Sequence, residues 1–274
     1  MPIAQIFIFR PITTLGRSAI STLEFIGNVG YLLSDTLRAS RPALLGKRGR
    51  RLGWANLWAQ MVRVGVNSIP IVSLVVFCIG AILSLQIAPI LRDYGAQSQL
   101  ADIIGIAMFR ELGPLVSAIV LTGFAGASIA AELGTMVVSE EIEALHAEAI
   151  PPVRFLVVPR VLATTVMMIC LAVVADLLGA FGGMVTSRVF LGISYQQYIQ
   201  RTFSAIFVRD FVTGLIKSGV FGMLISGFAC HLGLTVTGGA EGVGSATTRT
   251  VVLTIVALII VDLLFTGVFY HLGW

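Results

Sequence analysis

Charged residues are scarce in this chain, and their scarcity decides its class. Asp, Glu, Lys and Arg together make up 12% of the 274 residues, whereas a soluble domain carries about a quarter. The hydrophobic fraction is 57% and the mean hydropathy is +0.95. These values exclude an ordinary soluble domain and indicate an integral membrane protein. Ionisable residues are costly inside a bilayer, so those in apolar stretches are the first functional candidates.

The motifs of nucleotide, zinc and hydrolase chemistry are also absent. No G-x-x-x-x-G-K-[ST], H-E-x-x-H or G-x-S-x-G pattern occurs, and the three cysteines have neither disulfide nor zinc spacing. Lys217 lacks the glycines of a phosphate-binding loop, and His146, His231 and His271 are isolated. We therefore expect no catalytic residue, no metal site and no cofactor on this chain.

Apolar segments long enough to span a bilayer occur five times. Residues 54–274 are predicted to form the membrane domain, after an N-terminal interfacial helix and basic linker over 1–53. Between the spans, 235–250 is predicted to be a flexible Gly-rich loop leading into a helix start. The predicted spans are about 69–91, 103–131, 155–185, 211–234 and 251–272.

A basic stretch sets the expected orientation. Between positions 38 and 51 there are six basic residues and no acid. A nucleic-acid site is one interpretation of such a run, but beside a membrane span a topogenic or anionic-lipid patch is favoured. We therefore expect a cytoplasmic N-terminus and no nucleic-acid partner. Arg188, Arg201 and Arg209 on the outward loop 187–210 run against this assignment.

The segment Phe109-Arg-Glu-Leu-Gly-Pro114 places two charges early in the second span. Adjacent residues point to different faces of a helix, so Arg110 and Glu111 need not pair with each other. One interpretation is a buried charge pair in a helix kinked by Pro114. The other is a polar point in a substrate cavity, with Leu112 among its apolar walls. The residues alone leave both open.

The loop Glu132–Pro152 has the pattern of a short amphipathic helix. Apolar residues at spacings of three and four alternate with acids, and two prolines end the segment. A solvated acidic face is one interpretation; a helix that docks a partner delivering mechanical work is the other. The residues concerned are Glu132, Glu140, Glu141, Glu143, Leu145 and Glu148.

Three separated motifs resemble the MlaE (YrbE) permeases of lipid-transporting ABC systems. They are Arg110-Glu-Leu-Gly-Pro114, the segment from Ala131 to Leu145, and Gly242-Val-Gly-Ser-Ala-Thr-Thr-Arg-Thr-Val-Val252. The resemblance implies an all-α integral membrane protein with five transmembrane helices preceded by interfacial amphipathic helices. One departure is Phe124, where the family often has Arg.

The resemblance also implies site residues and partners. Gln86, Tyr94, Arg110 and Glu111 are expected at or near a central lipid cavity, and 132–150 is expected to be the coupling helix for an ATPase. The implied partners are a second copy of the chain, a cytoplasmic ABC ATPase that carries ATP and magnesium, a small STAS-domain protein and a periplasmic MCE-domain protein. The implied location is the inner membrane of a bacterium.

The expected function is therefore a permease subunit that moves phospholipid between the inner membrane and a periplasmic MCE-type carrier. Alternatives are a permease for sterols or other hydrophobic molecules, and a membrane anchor for an MCE protein that transports nothing. A stand-alone lipid enzyme is disfavoured, because the sequence shows no nucleophile–base pair or metal-binding set.

Overall fold

Helices form all the regular secondary structure in the part of the chain that the computed structural model describes, residues 20–21, 23–40 and 52–273. Eleven α-helices are used below as labels. They are α1 (23–40), α2 (Leu52–Val64), α3 (Ile69–Asp93), α4 (Leu100–Ala107), α5 (Gly113–Leu121), α6 (Ala127–Val138), α7 (Glu141–Ala147), α8 (Val158–Leu191), α9 (Tyr195–Ala205), α10 (Val208–Leu234) and α11 (Gly239–His271).

Within the described residues, five helical runs are long and apolar enough to cross a membrane, which confirms the predicted all-α membrane fold. The second run joins α4, α5 and α6 through two π-helical turns, Met108–Leu112 and Thr122–Gly126. The five runs are Trp54–Asp93, Gln97–Val138, Val153–Leu191, Val208–Leu234 and Gly239–His271.

The loop predicted over 235–250 is shorter than expected, because α11 already begins at Gly239, so that the predicted helix start comes earlier in the segment. The chain turns at Gly238 and Gly239, which both have positive φ (89° and 66°), a conformation that glycine adopts without steric cost. Gly242, in the first turn of the helix, packs closely against the turn that precedes it. A Cβ on Gly242 would lie 1.9 Å from the carbonyl oxygen of Thr237.

Close helix contacts hold α8 at the centre of the bundle, against α3 on one side and α10 on the other. A Cβ on Gly80 of α3 would lie 1.9 Å from the carbonyl oxygen of Gly179 in α8. A Cβ on Gly182 would lie 2.1 Å from the carbonyl oxygen of Phe77. Small residues allow such close approach where both helices are apolar and hydrophobic burial cannot drive association.

Contacts between the spans define two ends of the bundle. At the α7 end, Glu132 of α6 forms ion pairs with Arg63 of α2 and Arg160 of α8. At the α9 end, Arg201 of α9 lies 3.7 Å from Asp102 of α4. The loops between α6 and α8 and between α10 and α11 therefore lie at one end, and α9 lies at the other.

The N-terminal helix α1 lies against α10. The ring of Phe25 is 5.2 Å from that of Phe228, and Leu33 contacts Gly227. Leu23 and Tyr31 remain exposed on the opposite face. The basic linker predicted over 38–53 falls largely on residues 41–51, which lie outside the described part of the chain.

Candidate functional site

A cluster of ionised side chains surrounds Lys217 inside the bundle. Lys217 lies on α10 and its side chain has no solvent exposure. Its Nζ donates a hydrogen bond to Glu111 Oε2 of the second span and another, of 3.0 Å, to Thr266 Oγ1 of α11. It also lies 2.9 Å from Asp262 Oδ1 in an ion pair that lacks hydrogen-bond geometry. One cation thus joins three spans.

Thr266 completes the arrangement around Glu111. Its hydroxyl lies 3.2 Å from Glu111 Oε1 and 3.4 Å from Oε2, and it also lies 2.9 Å from the carbonyl oxygen of Asp262. The side chain of Glu111 is 29% exposed, in contrast to that of Lys217. The carboxylate therefore forms the accessible side of a charge network whose cation is buried.

A second ion pair lies beside the first. Arg110 Nη1 lies 3.7 Å from Asp210 Oδ1, and Asp210 is buried near the start of α10. Asp210 Oδ2 also accepts a hydrogen bond from the backbone N–H of Phe207. Arg110 Nε is 4.0 Å from Glu111 Oε1. Arg110 and Glu111 thus meet only at the limit of an ion pair, and their closer partners lie on α10 and α11.

The π-helical turn Met108–Leu112 brings Arg110 and Glu111 into this position. Such single turns interrupt α-helices mostly at functional sites. Pro114 follows the π-turn closely, inside the continuous helical run, and has no backbone N–H to donate to the preceding turn. The sequence predicts a kink at Pro114. The structure instead shows a π-helical turn, which contains one extra residue, just before it.

A buried carboxyl group supports the π-turn from α8. Asp176 is 1% exposed, and a Cβ added to Gly113 would lie 1.8 Å from Asp176 Oδ1 and 2.9 Å from the carbonyl oxygen of Met108. Oδ1 has no hydrogen-bond partner among the described residues. The side chain of Asp176 therefore fits against the turn only because position 113 lacks a side chain.

The other residues predicted to line the cavity lie at different places. Leu112 packs against the hydrophobic core. Gln86 is exposed on α3, and Tyr94, which follows α3 at the α9 end, is 82% exposed. Neither makes a hydrogen bond or ion pair with a described residue of the charge cluster, so the chain by itself brings together Arg110 and Glu111 but not Gln86 or Tyr94.

Comparison with known families decides the identity of the fold. The family model described as Permease MlaE matches residues 57–268. The chain belongs to this family. It is therefore a permease subunit of the ABC-transporter type, and the resemblance carried by the three sequence motifs is confirmed.

Relatives of this MlaE-family permease come from several lineages. A "Probable ABC transporter permease protein" of Rickettsia bellii is 36% identical over 258 residues, which cover 94% of this chain and 96% of that protein. The "Intermembrane phospholipid transport system permease protein MlaE" of Haemophilus influenzae is 30% identical over 265 residues, covering 96% and 98%. "Protein TRIGALACTOSYLDIACYLGLYCEROL 1, chloroplastic" of Arabidopsis thaliana is 32% identical over 221 residues, covering 81% and 63%.

The predicted coupling helix of this MlaE-family permease is the short helix α7. Ile142 and Leu145 pack against the hydrophobic core, whereas Glu140, Glu141 and Glu143 are exposed. The helix is thus amphipathic, with its apolar side on the bundle and its acidic side free of it.

Left-handed backbone flanks α7 on both sides. Glu140 has φ 61° and Ala149 has φ 58°, values that are unfavourable for residues other than glycine. Such strain persists where the surrounding structure imposes it and is concentrated at functional segments. The packing of Ile142 and Leu145 is one restraint that holds α7 in place.

The sequence predicts Glu132 to belong with the coupling helix, but the structure places it outside α7. It lies in α6, where Oε2 accepts a hydrogen bond of 3.1 Å from Arg160 Nη2 and Oε1 pairs with Arg63. Arg63 also donates to Ser128. These contacts tie α2, α6 and α8 together, beside a cavity of about 240 Å³ that Phe124 also lines. Glu132 therefore connects helices of the bundle.

Sequence reasoning missed Lys217, Asp262 and Asp176. The sequence motifs exclude Lys217 from a nucleotide-binding loop and assign no role to Asp262 or Asp176. All three stand in predicted spans, at about 211–234, 251–272 and 155–185. The rule that marked Glu111, namely that an ionisable residue in a span is costly, would have found them too.

Proposed function

We propose that this permease moves phospholipid between the inner membrane of a bacterium and a periplasmic MCE-type carrier. The charge cluster of Glu111, Lys217 and Asp262 carries this proposal. A phospholipid crossing the protein needs polar groups for its headgroup and apolar surface for its acyl chains. Glu111 supplies a partly exposed carboxylate in the second span, and the buried Lys217 holds it in position.

The name of the Haemophilus influenzae relative supports a phospholipid substrate, since it describes intermembrane phospholipid transport. Charged groups also suit a zwitterionic or anionic headgroup better than a sterol, which offers one hydroxyl. A permease for sterols or other hydrophobic molecules is the competing proposal within the same class. A membrane anchor for an MCE protein, without transport, is the other.

We infer that the permease works as a homodimer through its fifth span. Most of the apolar surface of α11 is uncovered, although the helix crosses the whole bundle. A second copy of the chain would cover this face and bring two Glu111 clusters to one central cavity. The exposed residues include Val256, Ile260, Leu263, Leu264 and Val268.

The energy source in this proposal is a separate cytoplasmic ABC ATPase that binds ATP and magnesium. The ATPase contacts the acidic face of α7. The α7 end of the bundle and the N-terminus therefore lie in the cytoplasm in this proposal. The α9 end then faces the periplasm and the MCE protein. A STAS-domain protein is proposed as an accessory of the ATPase.

The test is charge reversal at Glu111 in the reconstituted complex with its ATPase. Glu111→Lys places a third cation beside Arg110 and Lys217, so we expect transfer of a labelled phospholipid to stop while the complex still assembles. Glu111→Gln should reduce transfer less, and Asp35→Lys, which reverses an exposed acid on α1, should leave it unchanged.

The charge-exchanged double variant Glu111→Lys with Lys217→Glu separates the role in transport from a role in folding. If the pair acts mainly in folding, Glu111→Lys lowers assembly and transfer together, and the double variant restores both. If the order of charges serves the headgroup, Glu111→Lys alone assembles normally, and the double variant also assembles but still does not transfer lipid. A fully active Glu111→Lys complex would contradict the proposed path.

A further inference from the structure

A cavity of about 420 Å³ lies at the α9 end between the last turns of α3 and α8. Its volume is in the range of clefts that hold small organic ligands, about 300–1,000 Å³. At its inner end, Ser84 Oγ and Ser187 Oγ lie 2.9 Å apart in a buried contact between the two helices. From Ser84 to Asp93 the lining of α3 extends over about 13 Å, at 1.5 Å per residue.

Two opposite charges stand at the mouth of this cavity. Arg92 and Asp93 both line it and both are exposed. No described residue forms an ion pair with either side chain, although seven ion pairs occur elsewhere in the described chain. A cation at a helix C-terminus is favourable, but an acid there opposes the helix dipole. The helix dipole therefore does not explain why an acid lies at position 93.

The rest of the cavity wall is largely apolar and open to the side of the bundle. Leu85 and Pro89 of α3 face Phe190 and Leu191 of α8 across it. Phe190 is 68% exposed and Leu85 is 44% exposed, so the apolar wall is accessible from the side of the bundle. The cavity thus combines an ionic rim with an accessible apolar groove.

We propose that this cavity binds one zwitterionic phospholipid with a primary ammonium group, taken from the leaflet at the α9 end. Arg92 pairs with the phosphate, and Asp93 accepts hydrogen bonds from the ammonium group. One acyl chain lies in the groove between Leu85 and Phe190. An anionic glycerol headgroup would satisfy Arg92 but place its phosphate beside an uncompensated Asp93, so it binds less well.

This site is separate from the charge cluster around Glu111, because its lining residues all belong to α3 and α8 and include none of that cluster. It adds a lateral binding site at which the permease selects lipid by headgroup charge. The experiment uses the purified permease complex in detergent with equal amounts of phosphatidylethanolamine and phosphatidylglycerol, and native mass spectrometry counts the bound lipids.

We expect the wild-type complex to retain phosphatidylethanolamine in preference to phosphatidylglycerol. The double variant Arg92→Gln with Asp93→Asn should lose about tenfold in retention of that lipid, as expected when a charge-assisted contact is removed. Arg188→Gln, which removes an exposed arginine at the same end but outside the cavity, is the matched control and should retain the preference.

Free O-phosphoethanolamine in the same experiment separates a lipid site from a site for the headgroup alone. We expect it not to displace the lipid, because it lacks the acyl chain that fills the groove. Displacement by the free compound, equal retention of both lipids, or unchanged retention by the double variant would each overturn the proposal. Lipid transfer by the Glu111 variants is measured separately, so failure here leaves the proposed path intact.

Discussion

The ammonium group of Lys217 lies 2.9 Å from Asp262 Oδ1, which joins α10 to α11 in the apolar part of the bundle. Lys217 is about 14 Å from the start of α10, and Asp262 is about 14 Å from the end of α11, at 1.5 Å per residue. Both therefore lie at a similar depth, near the middle of a hydrocarbon layer of about 30 Å. Their pairing, together with Glu111, gives the protein a fixed polar point in the membrane.

Removing Lys217 alone should destabilise the permease more than removing all three charges of the network. Lys217→Met leaves the carboxylates of Glu111 and Asp262 without their cation, so we expect a loss of about 3–5 kcal/mol in stability. Thermal unfolding of the purified permease in detergent measures this loss. The triple variant Lys217→Met, Glu111→Gln and Asp262→Asn removes the stranded charges and should recover most of it. A triple variant as unstable as Lys217→Met would contradict this account.

Glycine at position 113 should be required by the contact with Asp176. In Gly113→Ala the new methyl group meets Asp176 Oδ1 and the carbonyl oxygen of Met108, and overpacking of this kind costs about 1–3 kcal/mol. Gly123→Ala is the matched control, since nothing lies within 4 Å of a Cβ there. We expect a lower melting temperature for the first variant and an unchanged or higher one for the second. Equal melting temperatures would show that the turn accommodates the methyl group.

Asp176 should tolerate an amide but not a cation. The carboxyl group is almost fully buried and no described residue pairs with it, and an uncompensated charge in that position is costly. The neutral acid is therefore the form that fits, and Asp176→Asn mimics it. We expect Asp176→Asn to assemble and transfer lipid like the wild type, whereas Asp176→Lys should fail to assemble. Loss of transfer in a well-assembled Asp176→Asn complex would show that the protein needs an ionisable group there.

The acidic face of α7 should contribute to binding of the ATPase without contributing to folding. Glu141 and Glu143 are exposed, and exposed charges contribute about 0–1 kcal/mol to stability. The double variant Glu141→Lys with Glu143→Lys should therefore melt like the wild type but co-purify less ATPase. Asp35→Lys serves as the control for surface charge. Leu145→Arg is less suitable, because Leu145 packs on the bundle and its replacement would detach α7 itself. Undiminished co-purification by the double variant would reject α7 as the contact.

The class, the number of spans and the family could all be predicted from the sequence. Backbone polar groups in hydrocarbon must be paired, in helices or in closed barrels, and continuous apolar runs of about 20 residues have the length of helices, since a barrel strand needs only about 9–11. Three motifs in the right order were enough to indicate the MlaE family. The sequence also marked Arg110 and Glu111, because an ionisable residue in a span is visible from composition alone.

The boundaries of flexible segments could not be predicted from composition and motifs. Glycine and threonine between 235 and 250 predicted a mobile loop, yet Gly242 and its neighbours form the first turns of α11. Their small size allows contact with the turn after α10, and such contacts are invisible to local propensity. The same limit applied to Glu132, whose charge placed it with the acids of α7 although Arg63 and Arg160 hold it in α6.

Only the tertiary structure decided which charges meet. Glu111, Lys217 and Asp262 come from three different spans, and no spacing within one helix relates them. The π-turn before Gly113 rotates Glu111 towards α10 and α11, and Asp176 fits against that turn from α8. These relationships depend on close packing between helices, where one added methyl group would change the outcome. The chain composition therefore identifies a membrane permease, and the packing of its helices decides where its polar centre lies.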